Sequence, residues 1–326
     1  MIEISQITHQ IGRHCASTGL RNLVHYHHIP WSEAICFGIG AGLGLWYFHE
    51  KNGSDPLFHV RSYDIEAQFF NRIGLPFKWK EYDSPDDSET DLCAILDKNI
   101  PVIVQTNIYF LPYFNTRIHF PGHVINVWAY DLERQIYIIT DTDRSEPFEL
   151  DFKDLKKARF YNSAYFNSKG NLFAPEKIEL PENLSEIIRR SIHHNSRTLL
   201  DETFDNQGIR GLIKWREDLL NWKDLQDWQW ACRFAYQIIE KRGTGGGGFR
   251  IMYADFLDEA GEYLPLILSR GLNQMMRFLS AAWQELAMAL KKASEEDLPE
   301  FDEIYDKLVV IEKLEAAYHQ EAMGLI

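Results

Sequence analysis

The chain has 326 residues, 45% of them hydrophobic, enough for one large or two medium domains with cores of their own. A net charge of -14 argues against a general nucleic-acid binder and suits a cationic small substrate. No apolar run approaches the roughly 20 residues of a membrane-spanning helix, residues 1–5 lack the basic and apolar regions of a signal peptide, and Cys15, Cys36, Cys93 and Cys232 are too far apart for a metal-type pair. The expectation is a cytoplasmic protein with reduced thiols, no membrane or nucleic-acid partner, and no metal or cofactor.

Residues 1–14 read as a lead-in strand or loop, followed by a helix from about Cys15 to Tyr26. Small residues come directly after Cys15, and Leu20, Leu23 and Val24 then recur at helical spacing. Cys15 is thereby placed at a helix N-terminus, where unmade N–H groups and the helix dipole favour a thiolate. A thiolate is a nucleophile. The plainer alternative is a small buried cysteine on a helix. His25, His27 and His28 cluster before Ile29-Pro30, but no carboxylate or cysteine completes a ligand set there.

Ser32-Glu33-Ala34 looks like a second helix start with Ser32 as its cap. The glycines from Gly38 to Gly44 lack the spacing and the preceding strand of a dinucleotide fingerprint, so close backbone packing or a substrate-wall turn is expected. Residues 62–73 form an amphipathic helix, 83–91 an acidic loop, 92–98 a short helix and 101–105 a buried strand. Residues 107–113 are polar and aromatic, and Asn107, Tyr109 and Tyr113 are candidates to line a substrate pocket.

His123 opens a strand running to Tyr130, and residues 135–141 return as its hairpin partner, closed by Asp141. A three-residue loop flanked by Tyr130 and Arg134 sets Asp141 opposite His123. Flanks at Asp131 and Gln135 set Asp143 there instead. Asp141 is favoured because it ends an unbroken apolar run. A surface hairpin whose histidine has no role is the alternative.

Residues 150–159 read as a short helix with a basic end, and 162–181 as a polar interdomain linker. Helices are expected near 182–200, 207–221, 223–242, 249–260, 262–292 and 299–323. The run Gly243-Thr244-Gly245-Gly246-Gly247-Gly248-Phe249-Arg250 lacks the Gly-Lys-Ser/Thr of a phosphate-binding loop. Its bare backbone and Arg250 suit a ligand contact, and Gly246, Gly247 and Arg250 are expected to complete the wall of the Cys15 cleft. A floppy connector is the alternative.

Cys15, His123 and Asp141 form a nucleophile, base and orienter in chain order, an arrangement that resembles the papain-like cysteine enzymes. The local motifs sharpen this. His14-Cys15 with Leu20-Arg21-Asn22, Ser32-Glu33-Ala34, Phe37-Gly38 through Gly44, Leu111-Pro112-Tyr113 and Gly122-His123 resemble the butirosin biosynthesis protein H family. Gly243 through Arg250, with Tyr253-Ala254-Asp255-Phe256-Leu257, is similar to the helical domain fused to it.

The resemblance implies an α+β fold: a papain-like domain of helices and antiparallel sheet over 1–160, a linker over 161–181 and an all-α domain over 182–326. It implies an acyltransferase of specialised-metabolite or antibiotic biosynthesis. The acyl group would pass from an acyl carrier protein or other thioester donor, through Cys15, to a small amine. His123 would act as the base and Asp141 would hold the imidazole. A cysteine peptidase or amidase using the same residues is the alternative, and a noncatalytic binding protein a third. The related double-glycine leader peptidases carry an oxyanion-hole glutamine six residues before the cysteine, where this chain has His9. Gln10 and Gln105 are therefore the candidates beside the Cys15 backbone N–H. Docking of an acidic carrier would need a basic patch, either Lys153, Lys156, Lys157 and Arg159 or Arg189, Arg190 and Arg197.

Overall fold

A computed structural model describes residues 6–49, 55–163, 167–298 and 300–325. Residues 1–5, on which the signal-peptide expectation rests, and Pro299, at the start of the last expected helix, lie outside them. In chain order the elements are α1 (Cys15–Tyr26), α2 (Glu33–Ile39), β1 (Leu43–Phe48), β2 (Leu57–Arg61), α3 (Ile65–Arg72), α4 (Pro85–Leu96), β3 (Val102–Thr106), β4 (His123–Asp131), β5 (Ile136–Thr140), β6 (Phe148–Asp151), α5 (Phe152–Arg159) and β7 (Leu172–Phe173). The helices α6 (Leu184–Leu200), α7 (Gly208–Leu219), α8 (Trp228–Glu240), α9 (Arg250–Ala260), α10 (Leu266–Ser269), α11 (Leu272–Ala293) and α12 (Asp302–Met323) follow. The fold is α+β, with a sheet-containing N-terminal part and a helical C-terminal part. Among the described residues no helix is long and apolar enough to cross a membrane.

The chain divides into two compact units, 1–36 with 73–181 and 37–72 with 182–326. This differs from the expected 1–160, 161–181 and 182–326 in two places. Within residues 161–181, expected as a linker, Leu172 and Phe173 form β7, which pairs with Val104 and Ile103 of β3. The polar composition around them hides two apolar residues that complete a sheet edge. Residues 37–72 group with the C-terminal helices. The Asn195 carboxamide, buried on α6, accepts from Leu43 N at 3.2 Å and donates to Leu43 O at 2.7 Å. Gly38 lies so close to Phe256 that a Cβ would overlap its ring. The glycines of this stretch thus serve close packing.

In the first unit the strands form one antiparallel sheet in the order β6-β5-β4-β3-β7. Central β4 is buried over its first seven residues because both sheet faces are covered. One face carries Val102, Val104, Ile125, Val127 and Ile139, packed with Leu92 and Leu96 of α4 and Phe152 and Leu155 of α5. Each such buried side chain contributes about 1.5–3 kcal/mol. On the other face Gly19 of α1 rests on Val124 and Ile103, where an added Cβ would crowd Val124. Asn22 Nδ2 donates to Asn126 Oδ1 at 3.0 Å, and Asn126 Nδ2 to Gly19 O at 3.2 Å. These bonds satisfy the polar groups that α1 buries against the sheet.

The expected acidic loop at 83–91 is instead the first half of α4. Ser84 caps it by accepting from Asp87 N, Pro85 opens it, and Asp86 and Asp87 sit in its first turn. All of these are helix-start chemistry.

The second unit pairs the β1–β2 hairpin with the C-terminal helices around an aromatic core. Phe58 lies 4.4 Å from Trp215 and 6.1 Å from Trp283 between ring centroids. The single helix expected over 262–292 is two helices, because Gly271 takes a left-handed φ of 68° and separates α10 from α11.

Candidate active site

Cys15 is the first residue of α1, and His14 caps that helix from an extended backbone. Its Nδ1 accepts from Ser17 N at 3.4 Å. The first turn contributes no acidic side chain of its own, and the positive end of the helix favours the thiolate there. Cys15 is half-buried and in no disulfide.

His123 opens β4 beside Thr106 of β3, whose hydroxyl donates to His123 O at 3.0 Å. The ring is buried against the face of Phe114, 5.1 Å away and edge-on. Nε2–H donates to both carboxylate oxygens of Asp141, at 2.9 and 2.8 Å. A carboxylate only accepts, so the proton of the neutral ring belongs on Nε2. This leaves Nδ1 for Cys15, with which His123 shares a hydrogen bond. The structure thus brings Cys15, His123 and Asp141 together in a line.

The electrostatics reinforce that line. Burial would lower the His123 pKa, but the charge and hydrogen bond of Asp141, with those of Cys15, raise it to about 10. Burial would raise the Asp141 pKa, but His123, the Tyr113 hydroxyl and Thr142 N hold it below its ordinary value. Tyr113 OH donates to Asp141 Oδ2 at 2.7 Å and Thr142 N to Oδ1 at 2.6 Å. The Tyr113 ring in turn lies under the Arg144 guanidinium at 4.9 Å.

At its turn the hairpin follows neither expected register, and beyond a bulge it takes the alternative one, which sets Asp143 rather than Asp141 opposite His123. Its turn is closed by Asp131 paired with Ile136, and Gln135 takes a left-handed φ of 56°. A bulge at Trp128 then shifts the pairing by one, so that Val127 faces Ile139 and Asn126 faces Thr140. Extending that register places Ile125 opposite Asp141. The acid therefore approaches His123 diagonally, two residues along the same face, within the reach of a histidine ring.

The other candidates are placed differently. Asn107 is fully buried as a brace for its own loop: Oδ1 accepts from Tyr109 N and Phe120 N, both at 3.1 Å, and Nδ2 donates to His119 at 3.0 Å. Tyr109 stacks on His119 at 4.1 Å and stays 44% exposed. Tyr113, expected as a pocket wall, bonds the acid. Gln10 is exposed, and its carbonyl accepts from Arg21. Gln105 registers beside Val124, on the sheet face opposite to His123, and its Oε1 accepts from Asn171 at 3.1 Å. His9 is held by Asn22 and by Arg144 O.

Gly246, Gly247 and Arg250 belong to the second unit, and their bonds there are internal. Gly246 N donates to Thr244 Oγ1 at 3.0 Å and Gly247 N to Glu240 Oε1 at 2.8 Å. Arg250 is fully buried on Glu315 at 2.8 Å, with the carbonyls of Val60 and Gly248 completing its shell. Of the basic clusters, Lys153, Lys156, Arg189 and Arg190 are each paired with an acid, and Arg159 is buried.

The sequence reading missed Glu33. It gave the residue only a helix-start role, whereas its carboxylate reaches back to the segment before Cys15. Nothing in the local spacing signals that contact, which joins α2 to Arg13 across 20 residues of chain.

Residues 14–142 match the family described as butirosin biosynthesis protein H, N-terminal. Residues 153–322, more than half of the chain, match a domain of unknown function (DUF4872). The N-terminal part of the chain thus belongs to the butirosin biosynthesis protein H family, and its C-terminal part to DUF4872. No curated protein matches it. The membership ties the chain to natural-product biosynthesis.

Proposed function

We propose that the protein is a cysteine acyltransferase that moves an acyl group from a thioester to an amine. The observation that carries this is the hydrogen-bonded line from Cys15 at the α1 N-terminus through His123 to Asp141. In the first step the Cys15 thiolate attacks the donor carbonyl, the donor C–S bond breaks, and the His123 imidazolium protonates the departing thiol. In the second step the amine attacks the Cys15 thioester. His123 takes a proton from the amine, and Cys15 leaves as a thiolate paired with the imidazolium. Asp141 keeps Nε2 protonated and the ring oriented throughout. The backbone N–H groups at the start of α1 supply donors for the oxyanion. By family likeness the donor is a carrier-protein thioester and the acceptor a small amine, in specialised-metabolite biosynthesis.

The test uses an N-acetylcysteamine thioester of a short acyl chain as the donor. Intact-mass analysis should show one acyl group on the protein, absent from Cys15→Ala, and added amine should discharge it as amide. Discharge only to free acid, at the same rate with and without amine, would make the protein a hydrolase.

A further inference from the structure

We propose that Glu33 is a positioning residue that fixes the backbone from which Cys15 is presented; this rests on the reading of Cys15 as the nucleophile. Glu33 is the first residue of α2, and its side chain is only 11% exposed. Oε1 accepts from Arg13 N at 3.0 Å, His14 N at 2.9 Å, Ser17 Oγ at 2.9 Å and Thr18 Oγ1 at 3.2 Å, and Oε2 accepts from Arg13 N at 2.9 Å. One carboxylate thus binds the two residues before Cys15 and the two hydroxyls in the first turn after Ala16. The Arg21 guanidinium lies 4.0 Å away and holds the carbonyls of Gln10 and Ile11. Gly12 N donates to Thr142 O at 2.8 Å, one residue from the acid Asp141, and a Cβ on Gly12 would collide with Thr18. The segment before the nucleophile is therefore braced on α2, on α1 and on the end of the base-and-acid hairpin.

An ordinary helix start places its capping carboxylate on the first-turn amides. Here that carboxylate takes the amides before the helix and the hydroxyls within it, while His14 caps Ser17. The sulfur is set by a rigid frame, and its distance to His123 is the quantity that frame controls. Displacements of about 1 Å at a reacting group cost on the order of 100-fold in rate.

Charge and positioning predict opposite signs for Glu33→Gln. A carboxylate near the thiol opposes the thiolate, so removing its charge alone would speed alkylation of Cys15. Loss of the frame would slow it, because the glutamine Nε2 faces Arg13 N and Arg21, donor against donor. The experiment is brief iodoacetamide labelling of the full chain across a pH series, read by peptide mapping with Cys93 as the internal reference. In the wild type Cys15 should outpace Cys93 at neutral pH. In Glu33→Gln, Cys15 should slow by about tenfold or more, with Cys93 labelling and the circular-dichroism spectrum unchanged. Unchanged or faster Cys15 labelling in folded Glu33→Gln overturns the role of Glu33 and leaves the nucleophile standing. Wild-type Cys15 no faster than Cys93 overturns the nucleophile, and the role of Glu33 with it. Should Glu33→Gln fail to fold, Thr18→Val removes one donor to the same carboxylate. It should slow Cys15 about threefold, and no slowing overturns the proposal.

Discussion

The Tyr113 hydroxyl donates to Asp141 Oδ2, the carboxylate oxygen that also receives the His123 ring at 2.8 Å. A buried carboxylate this close to an imidazolium needs its remaining lone pairs filled, and Tyr113 with Thr142 N fills them. Hydrogen bonds to charged groups contribute about 1.5–3 kcal/mol. Tyr113→Phe should therefore slow acylation of Cys15 by about tenfold and leave the fold intact. Asp141→Asn should cost far more, on the order of 10⁴ as in other triads, because the asparagine amide can turn the ring to the wrong tautomer. Asp143→Asn should be silent. Single-turnover acylation of the three variants orders them, and the reverse order for Asp141 and Asp143 would move the acid.

Protonation of the pair sets a pH window for stability. His123 is raised from 6.5 to about 10, so its contribution is full below pH 6.5 and is lost as pH climbs through about 10. Asp141 is lowered from 3.8, so its contribution is full above pH 3.8 and is lost as pH falls through its folded value. The stability that His123→Ala removes should be greatest between those ordinary values and should shrink steadily from about pH 7 to about pH 10. Urea midpoints of the wild type and the variant across that range measure the difference. A gap that stays constant to pH 10 would mean that the ring is not held as an imidazolium.

The parts of this site written in local chemistry were legible in the sequence. Small residues after Cys15 mark a helix start, and an apolar run ending in Asp141 marks a strand end. Alternation alone does not determine the His123–Asp141 contact. The Trp128 bulge shifts the register by one, and a diagonal approach restores the acid to the histidine. Bulges leave no mark in a period-two pattern, so the residue was readable where its register was not. Glu33, Tyr113 and β7 were hidden for a second reason. Each acts through a partner distant in sequence, and the capping residues Ser32 and Ser84 reveal where a helix begins but not what its carboxylates reach. The boundary at Cys36 and Phe37 is likewise set by packing on Asn195 and Phe256, far along the chain.

The four cysteines should separate by reactivity. Burial raises the Cys93 pKa, and burial pushes Cys232 up to about 12 with no exposed surface. Cys36 is also fully buried. Cys15 is half-exposed at a helix N-terminus beside a histidine held as a cation. Labelling of native protein should follow the order Cys15, Cys93, then Cys36 and Cys232, and denatured protein should label all four alike. His123→Ala should bring Cys15 down towards the Cys93 rate, since the imidazolium that stabilises its thiolate is gone.

Arg250 offers a contrast in what a buried charge does. Its guanidinium lies 4.9 Å over the Trp283 ring and pairs with Glu315, which also accepts from Trp283 Nε1 at 2.8 Å and from His319 Nε2 at 3.1 Å. Burial would raise the Glu315 pKa, but Arg250, His319 and Trp283 bring it down to about 2. Arg250→Met keeps much of the volume and removes the matching charge. Glu315 would then be buried with only a neutral indole and a histidine whose own pKa burial lowers. Breaking such a pair from one side costs about 3–5 kcal/mol, so the variant should unfold at a much lower urea concentration. Replacing both partners, as in Arg250→Met with Glu315→Leu, should recover most of that loss, because the uncompensated charge is removed with its partner. A role for Arg250 in holding ligand would give a different result: Arg250→Met would keep the wild-type midpoint and lose affinity for the amine acceptor.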